Sequence, residues 1–290
     1  MRDFLDQACI DYYEGRPQLS DEEFDLLAEK HQYHKVGYQV TDAVPHTYRM
    51  YSLKKCFDLA EAPLPIEECI ETPKLDGAAV SLLYVAGFLQ LALTRGDGIQ
   101  GRDITDKMRL LVPNIISVKA MVQITGEVVA PNSIPNARNY AAGSLNLKDF
   151  TEFAERVLDL RFVAYGQEKV VNRNFDATLE GLERMGFNTA LSFDCTDYPT
   201  DGTVYRLRDN FKFEEMGYTS NHPRGAFALK EQKQGVETTL VDVVWQLGKS
   251  GVVSPVGVLD PIEIGERQCL EPHCTTLSTY ATSIWRSDVE

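Results

Sequence analysis

Much that would define a compartment or a fold class at a glance is missing from this sequence. No apolar run approaches the ~20 residues of a membrane-spanning helix, and Met1-Arg2-Asp3-Phe4 opens no apolar signal-peptide core. No membrane partner is expected, and the expected location is the cytoplasm, as a soluble protein. The six cysteines (Cys9, Cys56, Cys69, Cys195, Cys269 and Cys274) lack C-x-x-C pairing, which argues against the usual structural zinc spacing and against a disulfide framework. Cys269 and Cys274, with His273 between them, could ligate a metal, but two free thiols are the simpler reading. Positive charge is also scarce: 29 lysines and arginines face 43 aspartates and glutamates, a net charge of −14. A protein that grips DNA unaided draws most of its affinity from neutralising phosphates and releasing counterions. If this chain acts on nucleic acid, local cations or a partner must do the holding.

What is present suits a globular protein. At 290 residues the chain can hold one large domain with smaller appendages. Phe4, Leu5, Ala8, Cys9 and Tyr12 fall on one helical face, and Ser20-Asp21-Glu22-Glu23 forms a capping box before Phe24, Leu26 and Leu27. Two helices are expected there. Residues 31–50 read as a linker, and 58–73, with three prolines, as an irregular approach. From Lys74 onward strands dominate: 79–84 and 88–94 as a hairpin around Ala86-Gly87, then 121–130, 160–165, 203–207, 226–232 and 238–247. Helices are expected over 103–111, within 134–149, and over 175–185, the last stopped by Gly186. No internal repeat or low-complexity segment interrupts the chain.

One stretch carries a chemical suggestion. Glu71-Thr72-Pro73-Lys74-Leu75-Asp76-Gly77 reads as a lysine delivered at the start of a hairpin. Residues i and i+2 of an extended segment share a face, so Lys74 and Asp76 would point into the same space. Gly77 lets the backbone approach a ligand closely. Taken alone, K-x-D-G recurs by chance and a lysine beside an aspartate is usually a solvated pair.

Residues downstream change its meaning. Lys74-Leu75-Asp76-Gly77, Thr94-Arg95-Gly96-Asp97-Gly98, Gly126-Glu127, Ala137-Arg138-Asn139-Tyr140-Ala141-Ala142-Gly143-Ser144-Leu145, Asp201-Gly202 and Ala228-Leu229-Lys230 occur in that order. This ordered set resembles the NAD-dependent DNA ligases, over about residues 10 to 280. The resemblance implies an α+β fold: a nucleotidyltransferase (adenylation) domain of antiparallel sheets flanked by helices over 46–240, a small helical cap over 1–45, and an incomplete OB-like start over 241–290. It implies NAD and Mg²⁺ as cofactors and nicked duplex DNA as partner. Lys74 would be the nucleophile that becomes AMP-lysine, with Asp76 beside it in the motif. Arg95 and Glu127 would hold ribose and adenosine, Tyr165 would stack on adenine, Lys230 would contact the α-phosphate, and Asp201 would support Mg²⁺ chemistry. Ser52-Leu53 match a segment that lines the NAD pocket through its backbone. Tyr12, Tyr13, Asp21, Phe24 and Asp25 match the cap that binds the nicotinamide mononucleotide half, which ATP-dependent relatives lack. Arg138 is associated with the DNA step. The chemistry wants such residues: an attacking amine must be deprotonated and must face phosphate oxygens whose charge has been neutralised. By spacing alone, blander roles also stand: Arg95 and Asp97 as a turn pair, Glu127 as an edge charge, Tyr165 as core, the cap aromatics as packing, and Arg138 as half of a surface ion pair.

The chain also departs from the pattern. Thr72 stands where the family usually has a glutamate near adenine, with Glu71 next to it as a substitute. Arg206 replaces a lysine on the strand after Asp-Gly, and a guanidinium does not reproduce every ammonium geometry. Asn146 replaces an arginine of the DNA step. Trp245 to Gly251 and Ser254-Pro255-Val256 resemble the opening strand of the family's OB fold, but zinc, helix-hairpin-helix and BRCT modules have no counterpart. Since such modules grip nucleic acid, a second polypeptide is expected to supply them, as in a small two-subunit or phage-encoded ligase, unless the chain is a fragment. Two rival expectations remain: an ATP- or GTP-dependent nucleotidyltransferase of the capping or RNA-ligase type, and a catalytically silent NAD-binding scaffold subunit.

Overall fold

The computed structural model describes residues 5, 8, 43–168, 172–230, 239–247, 253–260, 262–264 and 267–269. Leu5 and Ala8 are helical and buried, as their shared helical face predicts; the remainder of the expected cap lies outside the described residues. The chain divides into two units, residues 1–231 and 232–290.

Two antiparallel-dominated sheets organise the first unit. One is five-stranded, in the order β5 (Phe88–Thr94), β4 (Ala78–Val85), β7 (Val122–Val129), β8 (Arg161–Gln167) and β9 (Asn188–Thr189). The other is four-stranded, in the order β2 (Lys54–Cys56), β11 (Ala226–Leu229), β10 (Thr200–Leu207) and β3 (Cys69–Leu75). A small pair, β1 (Ala43–Pro45) with β6 (Gln100–Arg102), joins residues expected to be linker to the loop after β5. Period-two alternation decides which face of the larger sheet is core. Val80, Leu82 and Tyr84 of β4, with Ile124 and Val128 of β7, are fully buried in one cluster with Phe153, Leu179 and Leu182. Those last three come from helices Phe150–Arg156 and Phe175–Arg184, which cover that face together with helix Ala137–Asn146. The opposite face keeps Thr125, Glu127 and Tyr165 half-buried.

The approach to Lys74 differs from the expectation of an irregular segment leading into a hairpin. Cys69–Leu75 is a strand of the smaller sheet, and Asp76-Gly77 then carries the chain across to β4 of the larger one. Ile70 and Thr72 are buried on one side while Glu71 is exposed on the other, a strand alternation masked by Pro73. Proline is tolerated because β3 is an edge strand. Leu75 packs with Val129 and Val163, closing the two sheets together at that end. The predicted helix over 103–111 is shorter, Thr105–Met108, and a helix at Asn210–Met216 was not foreseen. In the second unit β12 (Leu240–Leu247) pairs antiparallel with β13 (Val253–Leu259), and β14 (Ile262–Ile264) with β15 (Arg267–Cys269).

The foreseen hairpin between β4 and β5 turns on two residues with positive φ, Ala86 at 54° and Gly87 at 89°, the backbone signature of a type I′ turn. An alanine held left-handed costs roughly 1–2 kcal/mol. Ala86→Gly should therefore raise the thermal midpoint by about 2 °C. An unchanged or lowered midpoint in a thermal melt would show that the turn carries no such strain.

Candidate active site

The site grows from a defect in a sheet. β10 pairs with β3 as Thr200↔Leu75 and then Thr203↔Pro73, so one extra residue is accommodated on β10, which makes a β-bulge. Gly202 permits it: its φ is 138°, and a Cβ there would sit 2.1 Å from the carbonyl oxygen of Leu229. The bulge turns Asp201 onto the end of β3. Lys74 Nζ lies 2.6 Å from Asp201 Oδ1, and Lys230 Nζ, just past the end of β11, lies 3.0 Å from Oδ2. Burial alone would raise the Asp201 carboxyl, but the two ammonium groups outweigh it and hold the carboxyl below its usual range.

Across from this cluster, β7 contributes Glu127, opposite Ala79 of β4 and Val163 of β8. Burial drives its carboxyl up from an ordinary 4.5 to about 8, with Asp76 adding to the rise. Lys74, Arg95 and the Gly77 N–H, which donates to the carboxylate, pull the other way. That N–H can come close only because residue 77 lacks a side chain: a Cβ there would lie 2.2 Å from the Val128 carbonyl oxygen. Lys74 and Asp76 thus share the Glu127 environment as expected, but they are paired differently, Asp76 Oδ1 taking Arg138 Nη1 at 3.1 Å. Tyr165 stands at the bulge between β7 and β8, packed on the Leu75–Val129–Val163 cluster with Phe193 and Tyr198 nearby. Burial raises its phenol, and the Glu127 carboxylate raises it further while Arg95 opposes. Arg95, Glu127 and Tyr165 therefore converge on one polar-and-aromatic wall.

The loop holding Arg95 is braced by residues whose importance the sequence did not advertise. Asp97, a candidate surface charge, spends Oδ1 on the N–H groups of Ile99 and Gln100. His46 lies 3.0 Å from the Arg95 carbonyl through Nε2 and 2.8 Å from Ser81 Oγ through Nδ1. A carbonyl only accepts, so Nε2 carries the proton and Nδ1 accepts from the serine hydroxyl. Burial, the largest influence, lowers the pKa of His46, which suits this neutral form.

Other candidates fall where their strands take them. Thr72 is buried and opposite Val204. Glu71 is exposed and opposite Tyr205, its hydrogen-bond partner, on the reverse face. Strand alternation therefore removes Glu71 as a substitute for the missing family glutamate. Arg206 shares the Thr72 face, but its guanidinium lies between the rings of Phe175 and Phe213, 3.9 Å from each centroid, and Nη1 donates to the Leu207 carbonyl. Burial draws it down to about 10, against the pull of Tyr218, Glu214 and Glu168. It is not brought to Lys74. Ser52 N–H donates to the Asn221 carbonyl, and Leu53 packs beside Phe213 and Phe227, next to β2. One lysine of the cluster was missed altogether: Lys55 of β2 lies close enough to Lys230 and Lys74 to feel both charges. Its only sequence signal was its place just after Ser52-Leu53-Lys54. Tyr12, Tyr13, Asp21, Phe24 and Asp25 lie outside the described residues.

Residues 39–197 match the model of the NAD-dependent DNA ligase adenylation domain. This chain belongs to that family. Its relatives include the DNA ligase of Christiangramia forsetii, 30% identical over an alignment covering 91% of this chain and 50% of that protein. The DNA ligase of Oleidesulfovibrio alaskensis and DNA ligase 1 of Nocardia farcinica are each 31% identical, with 88% of this chain and 47% of theirs covered. The chain spans about half the length of these relatives. The antiparallel sheets flanked by helices agree with the fold that this adenylation family implies.

The Glu127 environment makes a stability prediction. Between about pH 4.5 and 8 the folded chain holds a proton on this carboxyl that the unfolded chain has released, so its contribution to stability falls as pH rises through that window. Glu127→Gln keeps the shape and cannot ionise. Its thermal midpoint relative to wild type should climb steadily from pH 5 to pH 8.5; parallel curves would exclude a raised Glu127.

Proposed function

We propose that this chain performs the adenylation chemistry of an NAD-dependent DNA ligase, with Lys74 as the nucleophile. The observation that carries the reading is the juxtaposition, in a chain of this family, of Lys74 and Lys230 on one carboxylate with the Arg95–Glu127–Tyr165 wall opposite. Lys230 is suited to hold the α-phosphate of NAD, Arg95 and Glu127 the ribose, and Tyr165 the adenine face. Asp201 holds Lys74 in place until the dinucleotide arrives. The Lys74 ammonium first loses a proton to solvent, and the free amine nitrogen then forms a bond to the α-phosphorus while the phosphoanhydride P–O bond breaks. The electron pair leaves on nicotinamide mononucleotide, and the new P–N nitrogen releases its second proton to solvent. In-line displacement of this kind depends on positioning and charge neutralisation.

AMP would then pass to the 5′-phosphate of a nick, which the neighbouring 3′-hydroxyl seals, with Arg138 serving the DNA step. Thr72 cannot replace the charge of a glutamate near adenine, so base recognition would rest more heavily on Tyr165 and the backbone of Ser52-Leu53. The cap over residues 1–45 would take the mononucleotide half through Tyr12, Tyr13, Asp21, Phe24 and Asp25. Firm DNA binding is assigned to parts other than these 290 residues, on a second polypeptide or a longer one. The net charge of −14 and the half-length coverage of the relatives support this. A magnesium role for Asp201 fits the residues poorly: its two oxygens are each taken by an ammonium group, and no cluster of three potential ligands occurs among the described residues.

Intact-protein mass spectrometry after incubation with NAD and Mg²⁺ tests the reading. Wild type should gain one AMP and Lys74→Ala none, while nick sealing by the isolated chain should be weak. An adduct that survives Lys74→Ala, no adduct at all, or labelling by ATP in preference to NAD would overturn it.

A further inference from the structure

Lys55 is the charged side chain of the cluster that the adenylation reading leaves without a task. It stands on β2 in register with Ala228 of β11. Ala228 in turn pairs with Val204 of β10, and Val204 with Thr72 of β3. Side chains directly opposite one another across a sheet share a face, so Lys55 emerges on the same side as Thr72. Residues two apart on a strand also share a face; Lys74 is two beyond Thr72, and Lys230 two beyond Ala228. Ala228 lies directly opposite Lys55 and two residues before Lys230, so the two lysines are diagonal neighbours on this face. The Lys230 N–H donates to the Cys56 carbonyl at 2.8 Å, tying the end of β11 to β2 beside Lys55. Following the strand order β3-β10-β11-β2, the charged groups run Lys74, Asp201, Lys230, Lys55. The crowding registers on Lys55 itself: burial first, then Lys230 and Lys74, bring its ammonium down to about 8 despite Asp201.

That order has the layout of an in-line displacement, in which the leaving group departs on the side opposite the nucleophile. Lys74 lies at one end, the proposed α-phosphate ligand next, and Lys55 beyond it. We propose that Lys55 completes a diphosphate cradle by binding the phosphate that leaves with the mononucleotide half, while Lys230 holds the phosphate that Lys74 attacks. This rests on the NAD-dependent adenylation proposed above.

Reversal of the reaction isolates the leaving phosphate. The full 290-residue chain is loaded with AMP at saturating NAD and freed of nucleotide. It is then titrated with nicotinamide mononucleotide while the AMP adduct is followed by intact mass. Lys55→Gln should raise the half-maximal mononucleotide concentration about tenfold, the scale of one lost charge-assisted hydrogen bond. Lys55→Arg should restore most of the loss. Lys55→Met gives an independent uncharged variant. Wild-type mononucleotide dependence in both uncharged variants would overturn the inference and leave the adenylation reading intact. Failure of wild type to take AMP from NAD would overturn the reading itself.

Discussion

The site depends on one carboxylate placed between ammonium groups by one extra residue in a strand. Two like charges at about 4 Å near a protein surface repel by about 4 kcal/mol, a large share of the 5–15 kcal/mol that holds a typical domain together. Asp201 offsets that repulsion by accepting Lys74 on one oxygen and Lys230 on the other. It occupies this position because β10 bulges at Gly202. Continued regularly from Thr203↔Pro73, the ladder would set residue 201 opposite Leu75, on the face away from Lys74. The bulge is thus the backbone feature on which the Lys74–Asp201–Lys230 arrangement rests.

Around that point the two sheets divide the work. The smaller sheet carries the cations, from β2, β3 and the end of β11, and suits an anion. The larger sheet carries Glu127 and Tyr165 on its uncovered face, with Arg95 at the end of β5, and suits a sugar and a planar base. Helices fill the other face of the larger sheet with Phe153, Leu179 and Leu182, so the uncovered side is free to carry polar groups without undermining the core. His46 and Asp97 stiffen the Arg95 loop through its backbone.

Much of this was legible in the residues. The β4–β5 hairpin, β7 with an acid in its apolar run, the helix ending before Gly186 and the ordered motif set all arise from local pattern and turn chemistry. What escaped was set by non-local pairing. Pro73 hid the β3 strand because only the sheet order reveals that its edge needs no N–H there. Glu71 looked like a substitute for the missing glutamate until alternation put it beside Tyr205. Arg206 carried the right charge on the right strand, but Phe175 and Phe213, distant in sequence, enclose its guanidinium. Lys55 was passed over because its neighbours Lys74 and Lys230 are brought to it across strands.

The passage Asp76-Gly77 has a mechanical consequence. Lys74 lies at the end of a strand of one sheet and β4, which pairs with the Glu127 strand, begins in the other, so Asp76 and Gly77 alone carry the chain between them. Gly77 is wedged against the Val128 carbonyl, leaving that span little slack. The Lys74 strand and the Glu127 wall therefore work as a caliper with a riveted joint. Its opening is gauged by bond lengths at one end, while side-chain packing governs it elsewhere. Loosening the packing would cost the fold stability well before it shifted the distance from the Lys74 amine to Glu127.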